Sequence, residues 1–322
     1  MPPLHLILAF VMDLVLGDPR RLPHPVAMVG RVVGRLEKAL RVQAKGPASE
    51  LAAGWLLALL VIALTYASSF YLIKLAQSFL GDTAAAALNI CLAYTTLSVN
   101  SLAEAAREVI TPLEEGDLSR ARRKLSMVVG RDTQGLDGRE VSRGAVETVA
   151  ENTSDGIIAP LIYMAIGGAP LALAYKAVNT MDSMLGYRDG KYLYFGRAAA
   201  RLDDIANFVP ARLTALLMVA GSFLASREGQ VYSWRDSWRV LARDRRNHPS
   251  PNSGWPEAAA AGALRVRLGG ESSYSGVRSV KPYIGDDTEP LTPGKVRDAV
   301  GLMYVTAFLG LAAMVVLAYF RG

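Results

Sequence analysis

Acidic, amide and imidazole side chains recur in the polar stretches of this sequence at spacings that could do chemistry. In Glu147-Thr-Val-Ala-Glu151-Asn152-Thr153-Ser154-Asp155-Gly156 the carboxylates fall at i, i+4 and i+8, one face of a helix. Like charges on one face repel, so a cation, an arginine or protonation must compensate them. Mg2+ is the natural cation for such oxygens. The competing reading is a solvated helix face, against which stands the position of Asp155 directly before an apolar block.

A second stretch runs from Lys176 through Asn179, Asp182, Ser183 and Gly186, the last four on one helical face. Arg197 with Arg201, and Asp203 with Asn207, are i, i+4 pairs, and Asp204 adjoins them. Carboxylates beside arginines at membrane depth mark function and could hold Mg2+ and phosphate oxygens together; structural Arg–Asp pairing is the alternative. The third stretch, Asn247-His248-Pro249-Ser250-Pro251-Asn252-Ser253-Gly254-Trp255-Pro256-Glu257, reads as a rigid, non-helical loop presenting His248 and Asn252. With His5, His24 and His248 the only histidines, a three-histidine zinc site is excluded. No nucleotide-binding P-loop, dinucleotide fingerprint or serine nucleophile elbow occurs.

The elements that must position these residues are apolar segments at about 4–16, 51–73, 84–102, 157–175, 213–225 and 300–320. The segment at 51–73 carries no charge, beyond what a soluble core helix needs. The expected fold is therefore all-α: a polytopic integral membrane protein, a single membrane-embedded domain with large cytoplasmic loops. The polar stretches 18–50, 104–156, 176–208 and 226–298 carry 7, 8, 5 and 12 Lys and Arg. The first, second and fourth are cytoplasmic by the positive-inside rule. If every apolar block spans, the third falls on the other side, which its own basic residues, Arg188 among them, oppose. Gly167-Gly168-Ala169-Pro170 in the middle of 157–175 points to a broken or re-entrant hairpin that resolves the conflict. Val26, Val29, Val32, Val33, Leu36 and Leu40 share one face of an amphipathic helix that either lies on the membrane surface or packs on its neighbours. Helices are expected over Leu118–Val129 and Asp137–Glu151, and Pro249–Pro293 reads as mostly irregular. The net charge of +6 belongs to loops flanking apolar segments, so it points to a membrane partner and not to nucleic acid. The single cysteine, Cys91, excludes an intrachain disulfide framework, and no cleavable signal peptide is expected.

Taken in order, these segments resemble the CobD/CbiB family, adenosylcobinamide-phosphate synthase of cobalamin biosynthesis. The likeness runs from Asp13 and Gly17-Asp18-Pro19 through His24-Pro25-Val26, Val129-Gly130-Arg131-Asp132-Thr133 and Ala150-Glu151-Asn152-Thr153-Ser154-Asp155-Gly156. It continues with Lys176 to Met184, Ala200 to Asn207, Pro210-Ala211-Arg212 and His248 to Ala258. The resemblance implies an ATP- and Mg2+-dependent amide ligation of (R)-1-amino-2-propanol, as its phosphate, to a propionate carboxylate of adenosylcobyric acid. On that reading Asp155, Asp182, Asp203 and Asp204 are expected on Mg2+ and the ATP phosphates, with Glu151 or His248 as base. Arg131, Arg197 and Arg201 are expected on phosphates. Asn152, Asn179, Asn207 and Asn252 are expected on amide and carboxylate groups of the corrin rim, with Asp132 and Lys176 completing the binding set. The partners implied are the two substrates and membrane lipid, with a homo-oligomer or other late cobalamin-pathway enzymes as further candidates. Two other classes fit less well. A Mg2+-dependent membrane prenyl or phosphoalcohol transferase lacks its Asp-x-x-x-Asp pairing here, and a corrinoid transporter lacks an inverted repeat, though the broken segment suits one.

Overall fold

A computed structural model describes residues 1–18, 24–42, 44–186, 190–226, 232–274 and 276–321. Pro19 of the first motif and Arg188 lie outside them. In chain order the elements are α1 (Pro3–Leu16), α2 (Pro25–Arg41), α3 (Pro47–Leu80), α4 (Asp82–Tyr94), α5 (Val99–Glu114), α6 (Leu118–Leu125) and α7 (Gly138–Thr153). A π-helical turn, Ser154–Ile158, leads into α8 (Ala159–Leu185), followed by α9 (Arg197–Ala206), α10 (Phe208–Leu224), α11 (Trp234–Asp244) and α12 (Gly254–Leu264). The hairpin β1 (Leu268–Tyr274) and β2 (Val277–Ile284) precedes α13 (Pro293–Phe320).

Among the described residues four helical runs are long and apolar enough to cross a membrane: Pro47–Leu80, Asp82–Glu114, Gly138–Leu185 and Pro293–Phe320. The bent pair α9–α10 passes the same test together. The fold is thus the helical, polytopic membrane architecture expected, with one small hairpin added. At 34 residues α3 is about 50 Å long, more than the roughly 30 Å of a hydrocarbon core. Pro47 opens it, Glu50 sits in the first turn where the helix dipole favours an acid, and Gly81 at φ 87° closes it. The segment 84–102 is not one helix: α4 stops at Tyr94 because the hydroxyls of Thr95 and Thr96 bond back to Leu92 O and Ala93 O, both at 2.7 Å.

The chain packs as two compact units. Unit 1 comprises Met1–Ser98, Ala159–Asn207 and Leu311–Gly322. Its core joins α2, α3, α8 and α9 through Val29, Val33, Leu57, Ala58, Val61, Val178 and Met181, with Leu36 and Leu40 against it. Val29, Val33, Leu36 and Leu40 of the amphipathic face of α2 are therefore turned onto neighbouring helices, while Val32 of that face is exposed. Gly54 allows this closeness, since a Cβ there would run into Phe195 O. The break in α8 falls where the sequence places it: Gly167 (φ −136°, ψ 16°) and Gly168 (φ 67°, ψ −163°) leave the helix. Asn89 of α4 caps the restart, its Oδ1 accepting Ala169 N–H at 3.1 Å.

Unit 2 comprises Val99–Ile158 and Phe208–Gly310. Its centre is α12, buried from Pro256 to Leu264 and packed on α10 and α11. Small residues make that possible: a Cβ at Gly262 would overlap Asp236 O. Three sequence expectations need correction here. The stretch Pro249–Pro293 contains α12 and the hairpin; Pro256 sits in the first turn, where a missing N–H costs little, and the alanines after it are strong helix formers. α6 ends at Leu125, with 126–128 in turns, four residues before Val129. The π turn at Ser154 breaks the 3.6-residue periodicity that would align Asp155 with Glu147 and Glu151. α7 starts as expected, with Asp137 capping Glu140 N–H at 2.8 Å.

Candidate functional site

Unit 2 holds a cluster of ionisable groups that its helices would not bury for packing alone. Glu147 on α7 is 7% exposed and answered by two arginines. Arg131 Nη2 and Arg143 Nη1 donate to it, the latter at 3.1 Å, and Gly269 N–H donates at 2.9 Å. Arg143 also donates to Glu140, Gly269 O and Glu271 O. Of the three ways to neutralise the acidic face, this residue uses arginine.

One turn on, Glu151 Oε1 accepts from Ser253 Oγ at 2.7 Å. Ser253 stands before the first turn of α12, and that turn carries Glu257, 3% exposed. Burial, and then the nearby Glu147 and Glu151 carboxylates, push the Glu257 carboxyl well above the usual range. Its surroundings favour the protonated form. His248 Nε2 lies 3.7 Å from Glu257 Oε1 and 3.1 Å from Lys281 Nζ on β2. Burial, and then the Lys281 charge, hold the imidazole below its ordinary pKa, so the ring is neutral at pH 7.

The His248 tautomer follows from its other edge. Ser250 N–H donates to Nδ1 at 3.0 Å, so the ring hydrogen is on Nε2. The loop is rigid because Ser250 Oγ accepts from Asn252 N–H and Ser253 N–H, at 3.2 and 3.3 Å. Gly254 lets it close, since a Cβ there would press on Arg245 O and His248 Cβ. Asn252 Oδ1 accepts from Arg212 Nη1 at 3.2 Å, and Arg212 stacks on Trp255, 4.6 Å from the ring centre. The expected loop carrying His248 and Asn252 is present up to Ser253 and its edge meets Glu151, but Gly254–Glu257, expected in the same loop, form the first turn of α12.

Arg131 and Asp132 are held structurally as well. Arg131 bridges Glu147 and Ser272 Oγ. Asp132 Oδ2 accepts from Ser273 Oγ and Gly276 N–H at 2.7 and 2.8 Å, which ties its loop to the hairpin turn. Asn152 Nδ2 donates to Thr148 O of its own helix at 2.9 Å. Asp155 is half-buried in the π turn.

The other expected residues lie in unit 1. Asp203 accepts from Asn207 Nδ2 at 3.0 Å and from Asn179 Nδ2 at 3.4 Å, and the buried Asn207 accepts the Tyr175 hydroxyl at 2.8 Å. Asp182 folds its carboxyl against Gly186, where a Cβ would overlap Oδ1, and Lys176 O accepts Thr180 Oγ1 at 2.7 Å. Arg197, Arg201 and Asp204 line one cavity of about 490 Å3 with Tyr192, Tyr194 and Gly196. Two guanidiniums and one carboxylate in one cavity suit a phosphate accompanied by a divalent cation. Among the described residues no three His, Cys, Asp or Glu side chains gather as a metal-binding group. Mg2+ asks for less, since one or two carboxylates plus phosphate oxygens and water complete its shell.

Sequence reasoning passed over Glu257 and Lys281. Glu257 had a signal, an acid placed directly before a run of alanines that can only be core. Lys281 had none, because it reaches His248 through hairpin pairing that no local spacing encodes.

A family model described as CobD/Cbib protein matches residues 6–303. The chain is similar to the cobalamin biosynthesis protein CobD of Geobacter metallireducens, 51% identical, with 92% of this chain and 90% of that one covered. The CobD of Pelobacter propionicus is 45% identical over 99% of this chain and 97% of its own. The cobalamin biosynthesis protein CbiB of Salmonella paratyphi B is 43% identical over 96% and 95%. No solved structure matches.

Proposed function

The chain belongs to the CobD/CbiB family, with a role in cobalamin biosynthesis, and from that premise we propose that it is the amide-forming ligase that joins aminopropanol phosphate to a propionate carboxylate of adenosylcobyric acid. A carboxylate and an ammonium do not condense in water, so the carboxylate must be activated. Its oxygen attacks the γ-phosphorus of ATP and ADP leaves; the deprotonated amine then attacks the acyl carbon and inorganic phosphate leaves. Two proton tasks follow: a base takes the ammonium proton, and donors meet the charge that grows on the departing phosphate.

The observation that carries the reading is the gathering of Glu151, His248, Lys281 and Glu257 around the start of α12. The His248 tautomer leaves Nε2 with a hydrogen and no lone pair, so of the two candidate bases Glu151 suits the deprotonation. His248 Nε2–H and Lys281 Nζ are donors, and the Glu257 carboxyl adds a third in the protonated form that its burial favours. Nε2 and Nζ lie 3.1 Å apart, so one anion oxygen placed beside the pair could accept from both. In unit 1, Arg197 and Arg201 would hold phosphate oxygens and Asp204 would share Mg2+ with them. When bound, the metal would offset phosphate charge. Asn179, half-buried beside Asp203, offers an amide of the kind that corrin side-chain amides and carboxylates require, while Asn207 and Asn252 are buried and hold their neighbours in place. ATP use sets the site on the cytoplasmic side of a cytoplasmic membrane.

The test is direct. Detergent-purified protein is mixed with adenosylcobyric acid, ATP, Mg2+ and aminopropanol phosphate, and the amide is sought by mass spectrometry with ADP as coproduct. Absence of the amide with all four components present would reject the ligase.

A further inference from the structure

We propose that an arginine-lined recess in unit 2, between α6 and the 131–135 segment, is a binding site for a phosphate-bearing ligand; resting on the ligation proposed above, the recess seats one of the two phosphorylated substrates. α6 buries Ala121 and Leu125, both fully, against α5 and α7. That burial fixes the rotation of the helix. Ser119, Arg122, Arg123 and Ser126, spaced i, i+3, i+4 and i+7, then form the opposite stripe, and all four line a recess of about 650 Å3. Across it stand Arg131, Asp132, Thr133, Gln134 and Gly135, with Gly276 of the hairpin turn.

The recess is built before any ligand arrives. Arg122 Nε donates to Leu136 O at 2.5 Å, and Arg122 O accepts Thr133 Oγ1 at 3.0 Å, so the arginine and the facing loop hold each other. Arg131 is aimed by Glu147 and Ser272, and Asp132, the one carboxylate in the lining, is occupied by Ser273 and Gly276 N–H. Among the described residues the Arg123 guanidinium has no hydrogen bond or ion pair. Three guanidiniums therefore face one satisfied carboxylate, alongside the hydroxyls of Ser119 and Ser126. That donor set recognises phosphate oxygens by forked hydrogen bonds. Among the described residues no aromatic or aliphatic side chain lines the recess, so it reads the phosphate and not a base or a ring. Arg131 also contacts Glu147 of the acid cluster, which places an anion in the recess one residue from the proposed acid–base groups.

Titration calorimetry on the detergent-purified full-length protein tests this, with ATP, aminopropanol phosphate, inorganic phosphate and unphosphorylated aminopropanol as separate ligands. At least one phosphorylated substrate is expected to bind, with Arg123→Gln and Arg122→Gln each weakening it tenfold or more. Arg123→Gln is also expected to leave the melting temperature unchanged, since that side chain has no partner to lose. Wild-type affinities for every ligand in Arg123→Gln would overturn the site. Binding of inorganic phosphate alone, lost in Arg123→Gln, would keep the anion site and overturn its assignment to a substrate. The mass-spectrometric ligase assay separates the two proposals. Amide formation with unaltered KM for ATP and aminopropanol phosphate in Arg123→Gln removes the recess alone, and phosphate binding without amide formation removes the ligase alone.

Discussion

Three acids in unit 2 stand within one electrostatic neighbourhood, and each is accommodated differently: Glu147 by guanidiniums, Glu151 by the Ser253 hydroxyl, Glu257 by burial that favours its protonated form. Removing a buried arginine partner leaves a charge that nothing else nearby can satisfy, so Arg143→Ala is expected to destabilise the protein by roughly 3–5 kcal/mol in denaturant or thermal unfolding. The Glu257 proton has a pH signature. Its folded pKa lies above the ordinary glutamate value of 4.5, so between those two points the folded chain binds more protons than the unfolded one. The stabilisation is full below the unfolded value and is lost as pH rises through the folded one, at roughly 1.4 kcal/mol per pH unit in between. His248 acts on the other flank. With its folded pKa below 6.5, stability falls as pH drops below 6.5, because the unfolded chain then binds the extra proton. Thermal unfolding followed across pH should therefore show Glu257→Gln losing the alkaline decline while keeping the acid one. Parallel curves for wild type and variant would mean that Glu257 is ionised. Chemistry separates the remaining pair. Glu151→Gln is expected to lower kcat of amide formation by about 10²–10⁴, the usual worth of a general base. His248→Gln, which keeps a donor near Nε2, should retain more of the rate.

Helices position these groups through a few places where close packing or a broken backbone admits one residue type. The interruption at Gly167–Gly168 is one. An N–H freed inside an apolar segment has no water to bond, so Asn89 supplies the acceptor from α4. Asn89→Leu should lower the melting temperature of the purified protein by the equivalent of about 1–3 kcal/mol, the cost of an unsatisfied buried N–H, and an unchanged melt would show that Ala169 N–H is satisfied otherwise. The break itself was legible, because two glycines and a proline in mid-segment admit few other readings. Asn89 was not, since its partner is 80 positions away and its own neighbourhood is uniformly apolar. The same split runs through the site. Apolar blocks, the Asp137 cap and the loop around His248 are local patterns and could be read. The Arg131–Glu147 pair and the Lys281–His248 contact join segments far apart in sequence, and nothing in local spacing announces them. The Glu147–Glu151–Asp155 stripe misled at its last member, because a π turn carries no strong sequence mark. Glu257 lay inside a motif that had been quoted, but the prolines around it argued against a helix more loudly than the four alanines argued for one.

At the scale of the whole molecule, the charge along the chain and the proposed chemistry make the same demand of the 176–208 stretch. On the proposed reading, ATP phosphates would reach Arg197 and Arg201 only from the cytoplasm, and the basic character of that stretch also favours that side. A straight α8 crossing fully would carry it to the opposite side; an α8 interrupted at Gly167–Gly168 can return. Cys91 is the only cysteine, so Cys91→Ser provides a background for single-cysteine labelling in intact cells. Leu193→Cys, exposed beside Arg197 in the unit 1 cavity, should react only with a membrane-permeant reagent. Asp82→Cys, exposed at the turn between α3 and α4, should react with an impermeant one, because α3 spans from the basic 18–50 stretch. Impermeant labelling of Leu193→Cys would mean that α8 crosses in full. The Arg197–Arg201 cavity would then face away from cytoplasmic ATP and could not hold its phosphates, leaving the arginine recess beside α6 as the remaining phosphate site.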